Sequence, residues 1–278
     1  MLSEQGGAYA EVAMALRQEL GQAVSVREIT AATIEENTDA AGKALIVALG
    51  TRALKSVLPA RNPAIVTALV PRDAFEVVLQ AARETGDDKA VTAVYLDQPY
   101  TRQLDLVRAV LPGRTRIGIL SSPETGKDLK SVQAAAKARK LTVINESVTA
   151  AREIYPALTK VLASADVIVA MPDPMIFNNG TIHNILLAAY REERPLFGFS
   201  PAYVRAGALA AVYSTPQQIA HQIADSVRRA LDGKPLPPPE YLRSFTVGVN
   251  KTVARSLGLT IEDGAAIEAK LRALERER

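Results

Sequence analysis

The feature that most constrains this chain is a repeated unit in which a short apolar segment stops at small or polar residues and leads directly into a helix-forming segment. The clearest examples are residues 44–50 followed by 51–52, 116–120 followed by 121–125, and 167–170 followed by 171–174. At each junction the first N–H groups of a helix lack partners and carry the positive end of the helix dipole. Such junctions favour binding of a carboxylate or another anion.

The same alternation runs along most of the chain. Strands are predicted at 23–29, 44–49, 64–69, 91–96, 116–120, 142–147, 167–171, 195–199 and 209–213. Helices are predicted at 9–20, 52–58, 73–83, 101–111, 124–139, 151–163, within 175–191, at 203–206 and at 217–231, with a weaker helical stretch at 34–41. Strands that alternate with helices favour right-handed crossovers and a parallel sheet covered on both faces. The pattern therefore predicts a doubly wound α/β fold.

The number of strands is too high for one modest sheet, so two lobes are expected. The chain is predicted to cross between them near residues 96–100, after Tyr213, and within the proline-rich stretch 234–240, which cannot be helical and is expected to be a stiff connector. The predicted N-terminal lobe is 1–97 plus 213–238, and the predicted C-terminal lobe is 98–212 plus 239–278. Three crossings predict a hinge, with a ligand cleft between the lobes.

Composition excludes several classes of protein. The 33 basic and 30 acidic residues are spread along the chain and form no basic stripe, so nucleic acid is not an expected partner. The absence of cysteine excludes thiolate zinc sites and a cysteine nucleophile. No apolar run reaches the ~18 residues that a membrane span needs. Because Met1-Leu2 leads directly into a strand-to-helix break, an upstream piece of the first strand and an export signal are expected before it.

Motifs for catalysis are missing from the sequence. It contains no phosphate-binding glycine loop, no dinucleotide fingerprint, no zinc-protease motif and no nucleophile elbow. His183 and His221 fall in predicted helices far apart along the chain, where a helix-face role is the simpler interpretation. The sequence therefore predicts a protein that is not an enzyme and that needs no cofactor and no metal.

A binding site is predicted at the loops that follow the strands, because ligands of open α/β sheets bind outside the carboxyl ends of the strands. Hydroxyls there suit a carboxylate, Asp173 suits an ammonium group and the aromatic rings suit an apolar group; N-capping and ordinary packing are the alternatives. Arg52 and Arg72, each just past a strand end, are candidates to bind an acid group, with a solvated first-turn arginine as the alternative. The predicted ligand-binding residues are Glu4, Gln5, Tyr9, Gly50, Thr51, Arg52, Leu69, Asp97, Tyr100, Ser121, Ser122, Thr125, Pro172, Asp173, Phe177, Ser200 and Tyr203.

Four segments also carry a resemblance to a known family. Residues 97–104 (Asp-Gln-Pro-Tyr-Thr-Arg-Gln-Leu), 111–120, 204–210 and 249–260 resemble, in this order, substrate-binding proteins of one ABC-transporter family. The resemblance implies the type I periplasmic-binding fold, in which two α/β lobes joined by three crossing strands close on a small ligand. Some members are similar to binders of aromatic or other hydrophobic amino acids. Two departures are the absence of an asparagine-containing pattern at 121–125 and the stiff Pro172-Asp173-Pro174 loop.

Together these observations predict an extracytoplasmic or periplasmic solute-binding protein of an ABC import system. We expect a monomer that captures an amino acid or a related small carboxylate, of aromatic or hydrophobic type, and presents it to a membrane permease. Two alternatives remain open on the sequence. One is the effector-sensing domain of a transcription regulator or signalling system with the same fold, and the other is an α/β enzyme that uses a cofactor.

Overall fold

The structure is a computed structural model that describes residues 1–33, 45–59, 64–84 and 90–277. It contains two compact units: unit 1 comprises Met1–Asp97 and Ser214–Phe245, and unit 2 comprises Gln98–Tyr213 and Thr246–Arg278. The chain therefore passes three times from one unit to the other. Unit 1 extends to Phe245, beyond the expected crossing near residue 238, because Glu240 pairs with a strand of this unit and Leu242 is buried in its core.

Strands and helices alternate through most of the described residues. The strands are β1 (Ile46–Leu49), β2 (Ala64–Val70), β3 (Ala90–Tyr95), β4 (Arg116–Ser121), β5 (Thr142–Ser147), β6 (Val167–Val169), β7 (Leu196–Gly198), β8 (Ala210–Tyr213) and β9 (Thr246–Val249). The α-helices are α1 (Gly7–Leu20), α2 (Thr51–Val57), α3 (Arg72–Glu84), α4 (Tyr100–Val110), α5 (Leu129–Ala138), α6 (Ile154–Ser164), α7 (Ile182–Arg191), α8 (Pro201–Ala206), α9 (Pro216–Leu231), α10 (Lys251–Ser256) and α11 (Gly264–Arg276).

Unit 1 is built on a parallel sheet with the order β1-β2-β3. Leu2 adds a bridge to Leu49 at one edge, and Glu240 adds a bridge to Val94 at the other. Neighbouring residues of each strand point to opposite faces. Thus Leu49, Val66 and Val94 pack with α1 and α9, whereas Ala48, Ile65 and Ala93 pack with α2 and α3. Both faces are covered, which explains why the strands read as continuous apolar runs.

Unit 2 is built on a larger sheet with the order β5-β4-β6-β7-β8-β9, in which only β9 runs antiparallel to its neighbour. Helices α6 and α7 pack on one face around a core that includes Leu158, Val161 and Ile168. Helix α4 contacts β8, and α11 packs against both α4 and β9. The prediction of two doubly wound α/β lobes joined by three segments is confirmed, with β9 as the one antiparallel addition.

Several predicted elements differ from the structure. Residues 23–29 are not a strand; Leu2 bonds to Ile29 at the end of this stretch and to Ala31 just beyond it. The helix predicted within 175–191 begins only at Ile182, after a series of turns in which Asn178 and Thr181 bond neighbouring backbone groups. The predicted helices 124–139 and 151–163 each open with a 3-10 turn. The helical stretch at 34–41 lies outside the described residues.

Local signals at α9 and at the proline-rich stretch behave as predicted. The Thr215 hydroxyl accepts a hydrogen bond from the Gln218 N–H, and the Gln218 side chain accepts one from the Thr215 N–H, which forms a capping box ahead of Pro216. Residues 234–239 have no helical structure, and Glu240 then exchanges backbone hydrogen bonds with Ala93 and Tyr95 of β3. The connector therefore ends as a short pairing partner of the unit 1 sheet.

The first three residues run alongside β1 in unit 1, where Leu2 forms an isolated parallel bridge to Leu49. The Met1 ammonium donates to the Val47 carbonyl at 2.6 Å, and the Leu49 N–H donates to the Met1 carbonyl at 2.8 Å. Burial lowers the pKa of the Met1 ammonium from 8.0 to about 6, while the nearby Glu28 carboxylate acts in the opposite direction. Arg17 contacts Glu28 at 3.2 Å, so the carboxylate near the Met1 ammonium is itself paired with a guanidinium group.

This buried ammonium predicts a pH-dependent stability. The unfolded chain holds the proton more tightly than the folded chain, so unfolding takes up protons and the free energy of unfolding rises as the pH increases from 6 to 8. A difference of two pKa units corresponds to about 2–3 kcal/mol. Urea unfolding of the chain that begins at Met1 would measure this rise. The same chain acetylated at Met1 is the control, and an equal rise in both forms would assign it to other groups.

Candidate functional site

The carboxyl ends of the parallel strands define one edge of each sheet, and the predicted binding residues lie at or near these edges. In unit 1 this edge carries the loop after Leu2, the junction between β1 and α2, the turn after β2 and the residues after β3. In unit 2 it carries the loops after β4, β6 and β7.

The junction between β1 and α2 depends on Gly50. Its φ is +95°, a conformation that favours glycine, and a Cβ at this position would lie 2.6 Å from the Tyr9 ring and also collide with Ser3. The Ser3 hydroxyl oxygen accepts a hydrogen bond from the Ala53 N–H at 2.9 Å. The start of α2 is therefore capped by Ser3, a residue that the sequence did not single out. Thr51 is half-buried at this junction.

Polar and charged residues near this junction are open to solvent. Glu4, Gln5 and Arg52 are exposed, whereas Tyr9 is half-buried and packs against the core shared with α1 and α9. The contacts of Tyr9 with this core match the packing alternative, and its role in ligand binding stays a prediction. Arg52 and the two residues of the first loop remain candidates for ligand contact on this edge.

The C-terminal end of β2 has an unusual backbone. Leu69 is buried and has a φ of +57°, and the register between β2 and β3 shifts between Ala68 and Val70. A non-glycine residue in this conformation is strained, and bulges of this kind are frequent beside functional sites. The side chain of Leu69 packs in the core, so its contribution to the edge is through the backbone.

Asp97 follows β3 and fixes the start of the neighbouring helix. Its Oδ1 accepts a hydrogen bond from the Arg72 N–H at 2.8 Å, next to the first turn of α3. Burial raises the pKa of the Asp97 carboxyl, although the hydrogen bond from Arg72 acts against this. The Arg72 side chain contacts Asp73 and Glu76, so its charge is already compensated within α3. Asp97 therefore anchors two loops of unit 1.

In unit 2 the loops after β4 and β6 are joined by Asp173, which is only 2% exposed. Its Oδ2 accepts from the Thr125 hydroxyl at 2.7 Å and from the Ser122 N–H at 3.1 Å. Its Oδ1 accepts from the N–H groups of Met175 and Ile176 at 3.0 and 3.3 Å. One carboxylate thus receives hydrogen bonds from both loops.

In this network three of the predicted binding residues make the contacts that the capping alternative describes. Both Asp173 oxygens accept hydrogen bonds from the protein itself, and its pairing with a ligand ammonium stays a prediction. The Ser122 hydroxyl oxygen accepts from the Glu124 N–H at 3.2 Å, which is a local capping role. Thr125 donates its hydroxyl to Asp173 and is buried. These residues shape the loops, and a free carboxylate seat at 121–125 is not what their contacts favour.

Three aromatic residues gather where β6 and β7 end. The rings of Phe199 and Tyr203 are 4.4 Å apart, and Phe177 meets Phe199 edge to face at 6.5 Å. The Tyr203 hydroxyl donates to the Phe177 carbonyl at 3.2 Å, and burial raises the pKa of Tyr203 to about 12. We call Phe177, Phe199 and Tyr203 the aromatic cluster. Phe199 and Tyr203 are half-buried, so the cluster offers ring surface at this edge.

Gly198 makes the aromatic cluster possible. A Cβ on this last residue of β7 would lie 2.5 Å from the Tyr203 Cβ, so a larger residue would push the ring away from the strand end. The sequence pointed to Phe177 and Tyr203 but missed Phe199, which it placed as the last residue of a strand. The sequence did contain a signal for Phe199: like the other candidates, it stands in a loop that follows a strand, here between β7 and α8.

The remaining predicted residues lie on unit 2 in different settings. The Tyr100 hydroxyl donates to Asp128 Oδ2 at 2.7 Å, so this ring is tied to the turn before α5. Ser121 is buried at the end of β4, and Pro172 is half-buried after β6. Ser200 precedes Pro201 as the first flanking residue of α8 and is half-buried beside the aromatic cluster.

Among the residues with described positions, no three His, Asp or Glu side chains form a group that could hold a metal ion. In the same part of the chain, no helix combines the length and the apolar character needed to cross a membrane.

Comparison with known proteins agrees with this architecture. A family model described as "ABC transporter substrate binding protein" matches residues 21–271. A solved ABC domain from Streptococcus pneumonia in complex with L-Trp aligns with 94% of both chains at 20% identity and a TM-score of 0.64. A ligand-free, open substrate-binding protein with adhesive properties from Clostridium difficile aligns over 94% of both chains at 15% identity and a TM-score of 0.77.

A more distant neighbour is a periplasmic solute-binding protein from Actinobacillus succinogenes with bound D-allose. It covers 91% of this chain and 97% of its own, at 11% identity and a TM-score of 0.56. No individually curated protein matches. At these identities the solved structures establish the fold, and the family model, which spans most of the chain, establishes the family. This chain belongs to the ABC transporter substrate-binding protein family and has the type I periplasmic-binding fold.

Proposed function

We propose that this chain captures a small carboxylate with an aromatic or other hydrophobic side group, best represented by an amino acid, for an ABC import system. The observation that carries the proposal is the aromatic cluster at the carboxyl edge of the unit 2 sheet. Phe199 and Tyr203 present half-buried ring surface in a chain with only 5% aromatic residues. Rings held in this way stack on apolar groups of a ligand.

On unit 1, the exposed Arg52 is the candidate for the acid group of the ligand. A guanidinium group binds a carboxylate through paired, charge-assisted hydrogen bonds. Thr51 and the exposed Glu4 and Gln5 lie on the same sheet edge of this unit. In the proposed mechanism the ligand contacts the predicted edges of both units and stabilises the closed form, and no bond is made or broken.

The location and the partner follow from the family. Substrate-binding proteins of ABC transporters work outside the cytoplasm with a membrane permease, and we propose both for this chain. The L-Trp complex among the structural neighbours agrees with an aromatic ligand, whereas the D-allose complex shows that the same fold also serves sugars. The ligand class is therefore the part of the proposal that an experiment must decide.

A thermal-shift screen with L-tryptophan, L-phenylalanine, L-leucine, their decarboxylated amines and D-allose tests the ligand class. A ligand at ~100 times its dissociation constant stabilises the folded state by about 2.7 kcal/mol, which raises the melting temperature measurably. We expect the aromatic amino acids to give the largest rise and the amines to give none. A response to D-allose alone would contradict the proposed class and leave the family unchanged. Scattering should also show a smaller radius of gyration with the hit.

The Phe199→Ala substitution tests the aromatic cluster. We expect the affinity for the aromatic amino acid identified in the screen to fall about 10- to 30-fold, because the ligand loses a stacking partner worth roughly 1.4–2 kcal/mol. Tyr190→Ala is the matched control, since Tyr190 is 45% exposed near the C-terminal end of α7, which leads into the amino end of β7 at the opposite edge of the sheet. Isothermal titration would measure both variants. Equal affinities for the two variants would rule out a direct role for the cluster.

A further inference from the structure

Basic and acidic residues nearly balance over the whole chain, but one surface of unit 2 is positively charged. From residue 129 to residue 140 the sequence contains three lysines and no acidic residue. A further exposed lysine lies in the turn just before this segment. The four exposed lysines are Lys127, Lys130, Lys137 and Lys140. We call these four residues the lysine patch.

Helix α5 and the 3-10 turn before it place these lysines on one side. The turn spans Thr125–Asp128, and α5 follows it directly. Residues 127, 130 and 137 are separated by three and seven positions, which brings their side chains onto one face of a helix. At 1.5 Å per residue this line of side chains is about 15 Å long. Lys140 lies just beyond the end of the helix.

The opposite side of α5 is fixed to the rest of unit 2. Val132 and Ala136 are buried there. Arg139 is also buried, and its guanidinium group donates to the Asp105 carboxylate on α4 at 2.7 Å. The charge of Arg139 is therefore compensated inside the protein, and α5 holds the lysine patch toward solvent in one orientation.

The lysine patch itself lacks counter-charges. Within the described part of the chain, none of its four lysines contacts a carboxylate, whereas the exposed Lys160 on α6 contacts Glu146 at 3.5 Å. Asp128 is buried, and the exposed Glu124 stands before the first lysine. Helix α4, which packs beside α5, adds the exposed Arg108. This side of unit 2 is therefore strongly positive.

The residues between the lysines indicate the kind of partner. On the exposed side they are small or neutral: Ser131, Gln133, Ala134 and Ala138. Among residues 97–154, all of which are described, no large apolar side chain is exposed. Protein–protein interfaces are enriched in aromatic residues, methionine and arginine and are depleted in lysine. Flexible lysines without apolar anchors fit a diffuse layer of negative charge, such as the headgroups of anionic phospholipids.

We propose that the lysine patch holds unit 2 against the surface of an anionic phospholipid membrane by electrostatic attraction, without insertion into the bilayer. Each lysine close to such a membrane raises the partition coefficient by roughly fivefold. Attraction by four lysines is reversible, so it would concentrate the protein at the membrane without anchoring it there. The proposal does not depend on the ligand class, and the proposed permease partner places the protein beside a membrane.

Co-sedimentation with vesicles at low salt tests this proposal. Vesicles of phosphatidylcholine and phosphatidylglycerol in equal parts are compared with vesicles of phosphatidylcholine alone. The patch variant carries Lys127→Gln, Lys130→Gln, Lys137→Gln and Lys140→Gln. The dispersed variant carries the same change at four exposed lysines on other elements: Lys55→Gln, Lys160→Gln, Lys234→Gln and Lys270→Gln. Both variants lose the same charge, so the comparison isolates the arrangement of the lysines.

We expect the unsubstituted protein to bind the mixed vesicles and not those of phosphatidylcholine alone. The patch variant should bind the mixed vesicles at least about 20-fold more weakly, which corresponds to the loss of two fully engaged lysines. The dispersed variant should keep most of the binding. In 1 M NaCl the Debye length falls to about 3 Å, and binding should be lost.

Equal losses in the two variants would assign the binding to net charge and overturn the proposal. Equal binding to both kinds of vesicle, or no binding to the mixed vesicles at low salt, would overturn it as well. Binding to poly-L-glutamate without binding to the mixed vesicles would also overturn it, because it would assign the lysine patch to an acidic protein. All these measurements are made without ligand, so a failure here leaves the proposed ligand capture unchanged.

Discussion

Asp105→Ala is expected to lower the free energy of unfolding of unit 2 by about 3–5 kcal/mol, which is the usual cost of breaking a buried ion pair from one side. Asp105 lies on α4 and accepts two hydrogen bonds from Arg139, at 2.7 Å to Nε and 3.0 Å to Nη2. Their side chains are only 4% and 7% exposed. Without Asp105, the guanidinium at the end of α5 would stay buried with its main counter-charge removed.

The control is the double substitution Asp105→Leu with Arg139→Met, which removes both charges and keeps most of the volume. Buried ion pairs replaced by apolar residues of similar size are often neutral or stabilising. We therefore expect the double variant to recover most of the loss, as measured by urea unfolding. A double variant as unstable as Asp105→Ala would show that packing between α4 and α5, and not the unpaired charge, causes the effect.

Asp173→Ala should have the second largest effect, a loss of about 3–4 kcal/mol in the free energy of unfolding. The substitution removes the acceptor for the Thr125 hydroxyl and for the N–H groups of Ser122 and Ile176, all in buried residues. Each hydrogen bond to a charged group contributes about 1.5–3 kcal/mol, and the Thr125 oxygen compensates part of the loss at Ser122. Because the two loops lose their link, ligand affinity should fall as well.

Thr125→Val is the matched control for this second prediction, since it removes only one of the four hydrogen bonds to Asp173 and should cost about 1–2 kcal/mol. Chemical unfolding gives the two stabilities, and hydrogen exchange at the Ser122 and Ile176 amides reports the local opening. Faster exchange of both amides is expected in Asp173→Ala. Unchanged exchange at Ile176 would mean that the loop after β6 is held by other contacts.

The order of strands and helices could be predicted from the sequence because a strand that is buried on both faces has a continuous run of apolar residues. Strands such as β2 and β4 read as apolar runs ended by polar residues, and the capping signal at Thr215 placed the start of α9. The short β9 and the helices after it were not predicted, because their sequences show no comparable apolar run or capping signal. Their pairing partners lie elsewhere in the chain, and a four-residue strand such as residues 246–249 is too short to show a period.

The candidate site could be predicted only in part. The rule that loops after parallel strands bind ligands selected its location, and the same rule led to Phe177 and Tyr203 as candidates. The roles were not predictable, because Asp173, Ser122 and Thr125 have the same residue types whether they cap loops or meet a ligand. Ser3 was missed because its partner, the Ala53 N–H, lies fifty residues away along the chain.

The sequence by itself determined the class of this protein: the spacing of apolar segments and breaks fixes alternating strands and helices, and the order of its motifs identifies the family. The apolar pattern of each segment shows which of its faces will be buried, and this pattern can be read without knowing the partners of the segment. Only the tertiary structure decided which polar groups at the strand ends already have partners. Hydrogen bonds such as those of Asp173 join loops about fifty residues apart, and that pairing depends on the packing of the whole sheet.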